Sequence, residues 1–278
     1  MKIFLIIAAA AVIISAAECV YESFFLLTVR RERLSGSGST IKTAHISDLH
    51  KRRFGEGNIR LTDRIREGSP DVIFITGDLV SRTETDFTAA EQLMRELCRI
   101  APVYMIFGNH EQSLPPGYAE RLENAAQRAG VTLLHNSHRV VDIRGRELYI
   151  CGFDPDYSVY KTDEGGYSGL SVITAEDIAG AVGERPESGT VLLLAHNPLF
   201  AEEYARWGAD MTFCGHVHGG VVRLFGVGLL SPERRLFPRY TKGVYDMGHI
   251  RPGSRVLVSA GLGKLRLFDP AEVVFYDI

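Results

Sequence analysis

Cysteine is scarce in this sequence, and the few cysteines present are far apart. The chain of 278 residues has four, at Cys19, Cys98, Cys151 and Cys214, without a CxxC pair. This spacing is not that of a disulfide-stapled scaffold or of a zinc site built from thiolates. We therefore interpret each cysteine as a small core or interface residue. Cys214 is near His216 in sequence, but proximity alone does not make it a ligand.

An excess of charge of one sign is also missing. The formal net charge is −3, from 31 basic and 34 acidic side chains. This balance gives no general attraction to nucleic acid, and no stripe of interleaved aromatic and basic residues compensates for it. We therefore expect no nucleic-acid partner. Contact with a phosphate group would need a local basic patch.

An uninterrupted hydrophobic run of membrane-spanning length is absent, although the N-terminus comes close to one. The segment 3–17 carries no charge and is apolar except for Ser15, and mostly apolar residues resume after Glu18 and Glu22 and continue to Val29. The first run is short for a membrane span. The longer segment is sufficient only if both glutamates lie near the membrane interface.

Three arginines, Arg30, Arg31 and Arg33, close this N-terminal segment. We predict that residues 1–33 form an uncleaved hydrophobic anchor with a basic stop, which makes the protein membrane-anchored through a single N-terminal span. The flanking charges slightly favour a catalytic domain on the cytoplasmic side. A cleaved signal peptide with small residues at 15–17 is the alternative, and Glu18 disfavours a lipoprotein site at Cys19.

The remainder of the chain is organised as a short linker and one domain. Residues 34–40 are rich in glycine and serine and predict a flexible linker, and a folded domain follows over 41–278. Strand-like and helix-like segments alternate in it, which indicates an α/β fold. Strands are expected at 41–47, 72–76, 103–107, 131–135, 147–151, 191–195, 211–214, 221–225, 256–259 and 273–276. Helices are expected at 59–67, 87–99, 118–129, 175–182 and 201–207.

Five of the predicted strands are followed at once by residue types that bind metals. In chain order these residues are Asp48, His50, Asp78, Asn109, His196, His216 and His218. In open α/β sheets the functional crevice lies outside the carboxyl ends of the strands. Each residue alone has an ordinary explanation as a turn former, a helix cap or a core histidine. Their coincidence at five strand ends predicts one shared site.

The donor atoms of this set are nitrogen and oxygen, without thiolate sulfur. Such a set suits Mn²⁺, Fe or Zn²⁺ in an open site better than a closed structural zinc site. Seven ligands are more than one ion needs. We therefore expect two divalent cations that share a bridging carboxylate.

The motifs resemble those of the calcineurin-like metallophosphoesterase family in residue type, spacing and order. They are Asp48-x-His50, Gly77-Asp78, Gly108-Asn109-His110-Glu111, His196 and Gly215-His216-Val217-His218. Later segments, at 219–224, 231–240, 243–245 and 259–263, are similar to a bacterial membrane-associated subgroup with an N-terminal hydrophobic segment. Where that subgroup often has glutamine, this chain has Val221, which leaves the specificity of the pocket open.

This resemblance implies a fold and a role for each motif residue. The fold would be a four-layer αββα sandwich of two mixed β-sheets flanked by helices, to which the predicted anchor adds one N-terminal membrane helix. One metal would be held by Asp48, His50 and His218, the other by Asn109, His196 and His216, with Asp78 bridging them. A metal-bridging hydroxide would attack phosphorus. His110 would act as the general acid or as a positive partner of the transition state.

Two further residues are assigned on weaker grounds. Glu111 is interpreted as a carboxylate that orients His110 from behind, because such carboxylates commonly fix catalytic rings. Arg223 is a candidate substrate-binding residue, since it opens a basic cluster that also contains Arg234, Arg235, Arg239 and Lys242. For most of this cluster a solvated loop face is the ordinary explanation.

The expected substrate is a phosphodiester, a pyrophosphate or a lipid phosphate. The predicted anchor and the basic cluster favour a phosphorylated lipid or glycolipid, such as a UDP-diacylglucosamine-like molecule. One alternative is a nuclease or cyclic-nucleotide phosphodiesterase on the same metal core. Another is a non-catalytic scaffold that binds metal, although all seven ligands and His110 are present. The sequence predicts no oligomeric state.

Overall fold

A computed structural model of the chain describes residues 1–34, 40–162, 166–232, 234–264 and 266–278, without the side chains of Leu5, Ala8 and Ala11. Apart from its first and last residues, the predicted glycine- and serine-rich linker lies outside the described residues. The α-helices are α1 Lys2–Phe24, α2 Ile59–Gly68, α3 Thr88–Cys98, α4 Asn109–Gln112, α5 Tyr118–Ala129, α6 Ala175–Val182 and α7 Ala201–Trp207.

The strands fall into two large sheets and one small ribbon. Those of the first sheet are β1 Leu27–Arg33, β2 Lys42–Ile46, β3 Val72–Thr76, β4 Val103–Ile106, β5 Thr132–Leu133 and β14 Ala271–Asp277. Those of the second sheet are β6 Ser137–Ile143, β7 Arg146–Phe153, β8 Thr190–Ala195, β9 Met211–Cys214, β12 Gly243–Asp246 and β13 Arg255–Val258. The ribbon joins β10 Arg223–Leu224 to β11 Val227–Gly228.

Both large sheets are mixed, with a parallel centre. The first has the order β1-β14-β2-β3-β4-β5, and β2 to β5 run parallel while β14 is antiparallel to β2. The second has the order β12-β13-β9-β8-β7-β6, with parallel β7, β8, β9 and β13 and antiparallel strands at both edges. In a parallel group the carboxyl ends of neighbouring strands lie at one edge of the sheet.

Three apolar clusters hold the layers together. The first packs α2, α3 and α5 onto one face of the first sheet, and the second packs α6 and α7 onto the second sheet. The third lies between the sheets, where side chains such as Phe74, Leu192 and Phe213 are fully buried. Because the central strands are covered on both faces, they are apolar at nearly every position. The layers are therefore helices, sheet, sheet and helices, as the resemblance implied.

The N-terminal segment differs from its prediction. No helix in the described part of the chain is both long enough and apolar enough to cross a membrane. The predicted membrane helix, the single span and the membrane-anchored location are therefore wrong. The three arginines expected to end the span lie instead on β1, which pairs in parallel with β14 at the edge of the first sheet.

Candidate metal centre

The candidate ligands lie at the carboxyl ends of five strands from both sheets. Asp48 and His50 follow β2, Asp78 follows β3, and Asn109 begins the short helix α4 after β4. In the second sheet, the ligands follow two adjacent strands. His196 comes directly after β8, and His216 and His218 come after β9. The two sheets thus bring their parallel strand ends to one place.

Most of these candidates have a left-handed backbone conformation, which side chains other than glycine rarely adopt. The positive φ angles are 53° at Asp48, 51° at His50, 54° at Asp78, 70° at His216 and 52° at His218. Such conformations cost about 1–3 kcal/mol each and persist where the surrounding structure enforces them. These unfavourable backbone angles lie at the strand ends, where they direct the candidate ligands towards one point at a cost in local stability.

Two glycines allow the strand ends to come close together. At Gly215 a Cβ atom would overlap the Ser47 hydroxyl and lie 2.5 Å from Asp48 Oδ2. At Gly77, which has a φ of 87°, it would lie 2.5 Å from the Gly108 backbone nitrogen. A larger residue at either position would push the loops apart.

Two groups of ligand atoms form around Asp48. In each group, donor atoms of the three residues lie within 4.8 Å of one another: Asp48, His50 and His218 in one, and Asp48, Asp78 and His196 in the other. The His218 Nε2 atom is 3.8 Å from Asp48 Oδ1, and His196 Nε2 is 3.4 Å from Asp78 Oδ2. His50 Nε2 lies 3.8 Å from the same Asp78 oxygen, which places that carboxylate between the groups.

Asn109 and His216 extend the second group. The His216 Nδ1 atom lies 3.1 Å from Asn109 Oδ1, and the rings of His216 and His196 are 5.0 Å apart. The backbone N–H of His216 also donates to the Asp48 carboxylate at 3.1 Å. All seven predicted ligands therefore lie in one connected cluster.

His196 provides a test of whether this cluster fits a cation. Its Nδ1 atom lies 2.6 Å from the Thr76 carbonyl, which can only accept, so Nδ1 carries the proton. The Nε2 atom is buried and without a hydrogen-bond partner among the described residues, yet it faces Asp78. A cation between this nitrogen and the carboxylate would satisfy both, so the donor set fits divalent metal.

The charges of the cluster also favour a bound cation. Burial opposes ionisation of Asp78, but the imidazoles of His196, His50 and His110 hold the pKa of its carboxyl well below the usual range. Burial likewise opposes protonation of His196, but Asp78 and Asp48 raise its pKa to about 10. The cluster therefore favours positive charge beside its two carboxylates.

His110 lies beside the ligands at the start of α4. Its backbone N–H donates to Asp78 Oδ1 at 2.8 Å, and its Nε2 atom is 3.9 Å from Asp78 Oδ2. The guanidinium of Arg82 contacts the same Nε2 atom at 2.8 Å. Sequence reasoning missed Arg82, although its position four residues after Asp78 places it on the same loop.

The hydrogen bonds of Glu111 go to backbone groups and not to the His110 ring in the part of the chain that the structure describes. Its carboxylate is fully buried and accepts from the backbone N–H groups of Asp78, Val80 and Gly108 at 2.8–2.9 Å. Burial, together with the charge of Asp78, raises the pKa of Glu111 to about 8. The side chain thus joins the loops that follow β3 and β4, which carry Asp78 and Asn109.

Arg223 lies on the small ribbon. Its guanidinium donates to the Gly219 carbonyl at 3.1 Å and to the Thr241 hydroxyl at 3.2 Å. It lines neither of the two cavities that open onto the ligand cluster. The structure therefore uses this arginine to hold the loop after His218, and gives no support for direct substrate contact.

The two cavities meet at His110 and His218, which line both. The first, the tyrosine-lined cavity, is further bounded by Asp78, Arg82, Asn109, Tyr157, Tyr160, Lys161, Tyr167, His216 and Pro232. The second, the lysine-lined cavity, is bounded by Leu49, His50, Lys51, Arg52, Ser81, Val221 and Lys264. Apart from the candidate ligands, His110 and Val221, sequence reasoning did not assign these residues to the cavity walls; Arg82, the three tyrosines, Lys161 and Lys264 were not foreseen. The tyrosines and the lysine clustered at 157–161 were the available signal.

Comparison with known proteins identifies the family. The family model for calcineurin-like phosphoesterases matches residues 41–220, and the chain therefore belongs to that family. An uncharacterized metallophosphoesterase of Aquifex aeolicus is 28% identical over 92% of this chain and 93% of its own length. The phosphodiesterase YaeI of Escherichia coli is 27% identical over 92% of this chain and 88% of its own.

Among solved structures, the phosphopantetheinyl hydrolase of Mycobacterium tuberculosis matches with a TM-score of 0.48 and 18% identity, over 82% of this chain and 91% of that one. Family membership and the relatives make this chain a metal-dependent phosphoester hydrolase. The clusters around Asp48 and Asp78 are where its divalent cations can bind.

Proposed function

We propose that this enzyme hydrolyses a phosphodiester or pyrophosphate bond with the help of two divalent cations. The observation that supports this most directly is the junction of two cavities at His110 and His218. A phosphorus atom at that junction could carry one substituent in each cavity. A phosphomonoester has only one substituent and would leave the other cavity unused.

The assignment of ligands is part of this proposal. Asp48, His50 and His218 would hold one cation, and Asn109, His196 and His216 the other. Asp78 lies between the two sets, which suits a bridging role. The nitrogen and oxygen donors are compatible with Mn²⁺, Fe or Zn²⁺.

When bound, two such cations would neutralise the phosphoryl charge and supply an activated water near neutral pH. The chain's own residues do the remaining work. His110 lies at the junction, where its backbone N–H donates to Asp78 Oδ1. Its Nε2 atom accepts from Arg82 in this structure, so the ring would protonate the leaving oxygen once that contact is released. Arg82, bonded to that ring, adds positive charge at the same place. The tyrosine-lined cavity would enclose one of the two substituents on phosphorus.

The physiological substrate remains a prediction. A phosphorylated lipid or glycolipid, for example a UDP-diacylglucosamine-like molecule, would place a polar and an apolar group on the two sides of phosphorus. In support, Leu236 and Phe237 are 72% and 66% exposed, in the loop that also carries Pro232 of the tyrosine-lined cavity. The name of the phosphodiesterase relative favours a diester over a monoester.

The test uses the full chain, stripped of metal and then given Mn²⁺. We expect turnover of bis-p-nitrophenyl phosphate to depend on Mn²⁺ and to exceed turnover of p-nitrophenyl phosphate. Asp78→Asn should reduce the rate by more than about 100-fold, because even a residue behind a metal ligand contributes about 10–100-fold. Asp63→Asn, an exposed carboxylate on α2, is the matched control.

Three results would contradict this proposal. They are a preference for the monoester, turnover that survives complete removal of metal, and an active Asp78→Asn protein. Tight Mn²⁺ binding without turnover on either substrate or on a pyrophosphate would instead favour the non-catalytic scaffold.

A further inference from the structure

Two of the largest fully buried side chains in the described part of the chain are arginines near the metal centre. Arg52 is 1% exposed and Arg266 is 0% exposed. A buried guanidinium is costly unless its N–H groups are hydrogen-bonded. The partners of these two side chains therefore show what they hold together.

Arg52 joins the end of helix α1 to the loop after β13. Its Nη2 atom donates to the backbone carbonyls of Glu22 and Leu26, both at 2.9 Å. Its Nη1 atom donates to the carbonyls of Leu262 at 3.2 Å and Gly263 at 2.9 Å. One planar fork thus binds four carbonyl groups from two segments that are distant in sequence.

Arg266 holds the same loop from the other side. Its Nε atom donates to the Gly263 carbonyl at 3.1 Å, and its Nη1 atom donates to the His218 carbonyl at 3.2 Å. Its backbone N–H donates to the hydroxyl of Ser23, again at the end of α1. The side chain of Arg266 therefore contacts the backbone of a candidate ligand, His218.

Gly263, which both arginines hold, lies against the whole first ligand set. A Cβ atom at this position would be 3.1 Å from the Asp48 carbonyl, 3.4 Å from His50 Cδ2 and 3.5 Å from His218 Cε1. The second set is fixed by other contacts, such as that of His196 with the Thr76 carbonyl and that of His216 with Asn109. A shift of Gly263 would thus disturb one set more than the other.

We propose that Arg52 and Arg266 are positioning residues that tie the end of α1 to the Gly263 loop and thereby set the affinity for the cation held by Asp48, His50 and His218. Through these two arginines, the segment before β1 would help to position the ligands of that cation. The proposal rests on the proposed two-cation site. Its readout is metal binding, so it can fail or succeed independently of turnover.

The experiment measures Mn²⁺ binding to the full-length, metal-free protein by titration calorimetry, with electron paramagnetic resonance to follow the occupancy of each site. In Arg266→Lys and Arg52→Lys, which keep the charge but lose the fork, we expect one of the two affinities to fall by about 10–100-fold. The other should change by less than about twofold. A structural role alone would lower the melting temperature without separating the two affinities.

Arg60→Lys is the matched control, because Arg60 donates to the Phe25 carbonyl at the same helix end at 2.7 Å and has no hydrogen bond to the described residues of the Gly263 loop. If a lysine variant does not fold, Ser23→Ala removes only the hydroxyl that accepts from Arg266. It should then give a smaller fall, about two- to tenfold, in the same affinity.

Equal weakening of both affinities, or no weakening in any of these variants, would overturn the proposal. So would a wild-type protein that binds a single Mn²⁺. A wild type that binds two Mn²⁺ ions but hydrolyses nothing would overturn the proposed function alone and leave the positioning role intact.

Discussion

At the scale of single residues, His110 is the most informative side chain of the site. Its ring lies among atoms that could themselves form a metal group with His50 and Asp78, within 4.8 Å of one another. Burial lowers the pKa of His110 to about 4, although Asp78 opposes this. The same position would suit either a third nitrogen ligand or a proton donor to the leaving group.

We expect His110→Ala to lower kcat by about 10²–10⁴-fold, the usual contribution of a positioned acid or base. Both Mn²⁺ affinities should stay close to those of the wild type, because His110 is not one of the proposed ligands. Steady-state kinetics and Mn²⁺ titration on the same preparation check this. Loss of one Mn²⁺ from the variant would show that His110 is a ligand instead.

At the scale of elements, the apolar patterns predicted most helices well. The predicted helices at 118–129, 175–182 and 201–207 have those bounds in the structure, and Thr174 caps the second of them together with Asp177. The missed elements include three edge strands, β1, β6 and β12, besides the short helix α4 and strand β11. An edge strand carries polar and exposed residues on much of its surface, so its pattern resembles that of a loop. Only pairing with a neighbour makes it a strand.

Strand β2 carries a buried histidine that connects the sheets. His45 is fully buried, its Nε2 atom is 2.8 Å from the Thr76 hydroxyl, and its ring packs edge-on against Phe213 of the second sheet. Burial, and then the charge of Arg30, lowers the pKa of His45 to about 3. The folded state therefore keeps this ring neutral well below the pH at which an unfolded chain protonates it.

Between pH 6.5 and 3 the unfolded state binds a proton at His45 that the folded state excludes, so His45 reduces stability as the pH falls through this range. We expect the free energy of unfolding of His45→Gln to fall by about 2 kcal/mol less than that of the wild type between pH 7 and pH 5. Urea unfolding in the presence of chelator checks this without a contribution from metal release. The same substitution at the exposed His249 is the control, and identical pH profiles for His45→Gln and wild type would contradict the expectation.

At the scale of the whole molecule, the metal centre joins elements that otherwise have separate cores. Its candidate ligands come from both sheets, and each sheet packs its own helices in a distinct apolar cluster. The third cluster, between the sheets, is the main apolar contact that links them. A cation bound at the shared edge should therefore stabilise the whole fold, because the unfolded chain has no such site.

Removal of metal should lower the melting temperature. At a free cation concentration of 100 times Kd the stabilisation is about 2.7 kcal/mol, which corresponds to roughly 5–10 °C in a protein of this size. Calorimetric melting with Mn²⁺ and with EDTA measures it. Asp78→Asn should lose most of this difference, and a melting temperature that does not respond to EDTA in the wild type would contradict a bound cation.

The sequence by itself determined the class of fold, the family and the set of candidate ligands. Each of these depends on signals contained in short segments of the sequence, namely strand periodicity, helix caps and the residue types that follow each strand. The roles that depended on distant contacts were decided only by the tertiary structure. It placed Arg30 on a strand, turned Glu111 towards backbone N–H groups, and brought Arg82 and Arg266 to the metal centre. Buried polar groups must find partners wherever the fold supplies them, and those partners are distant in sequence.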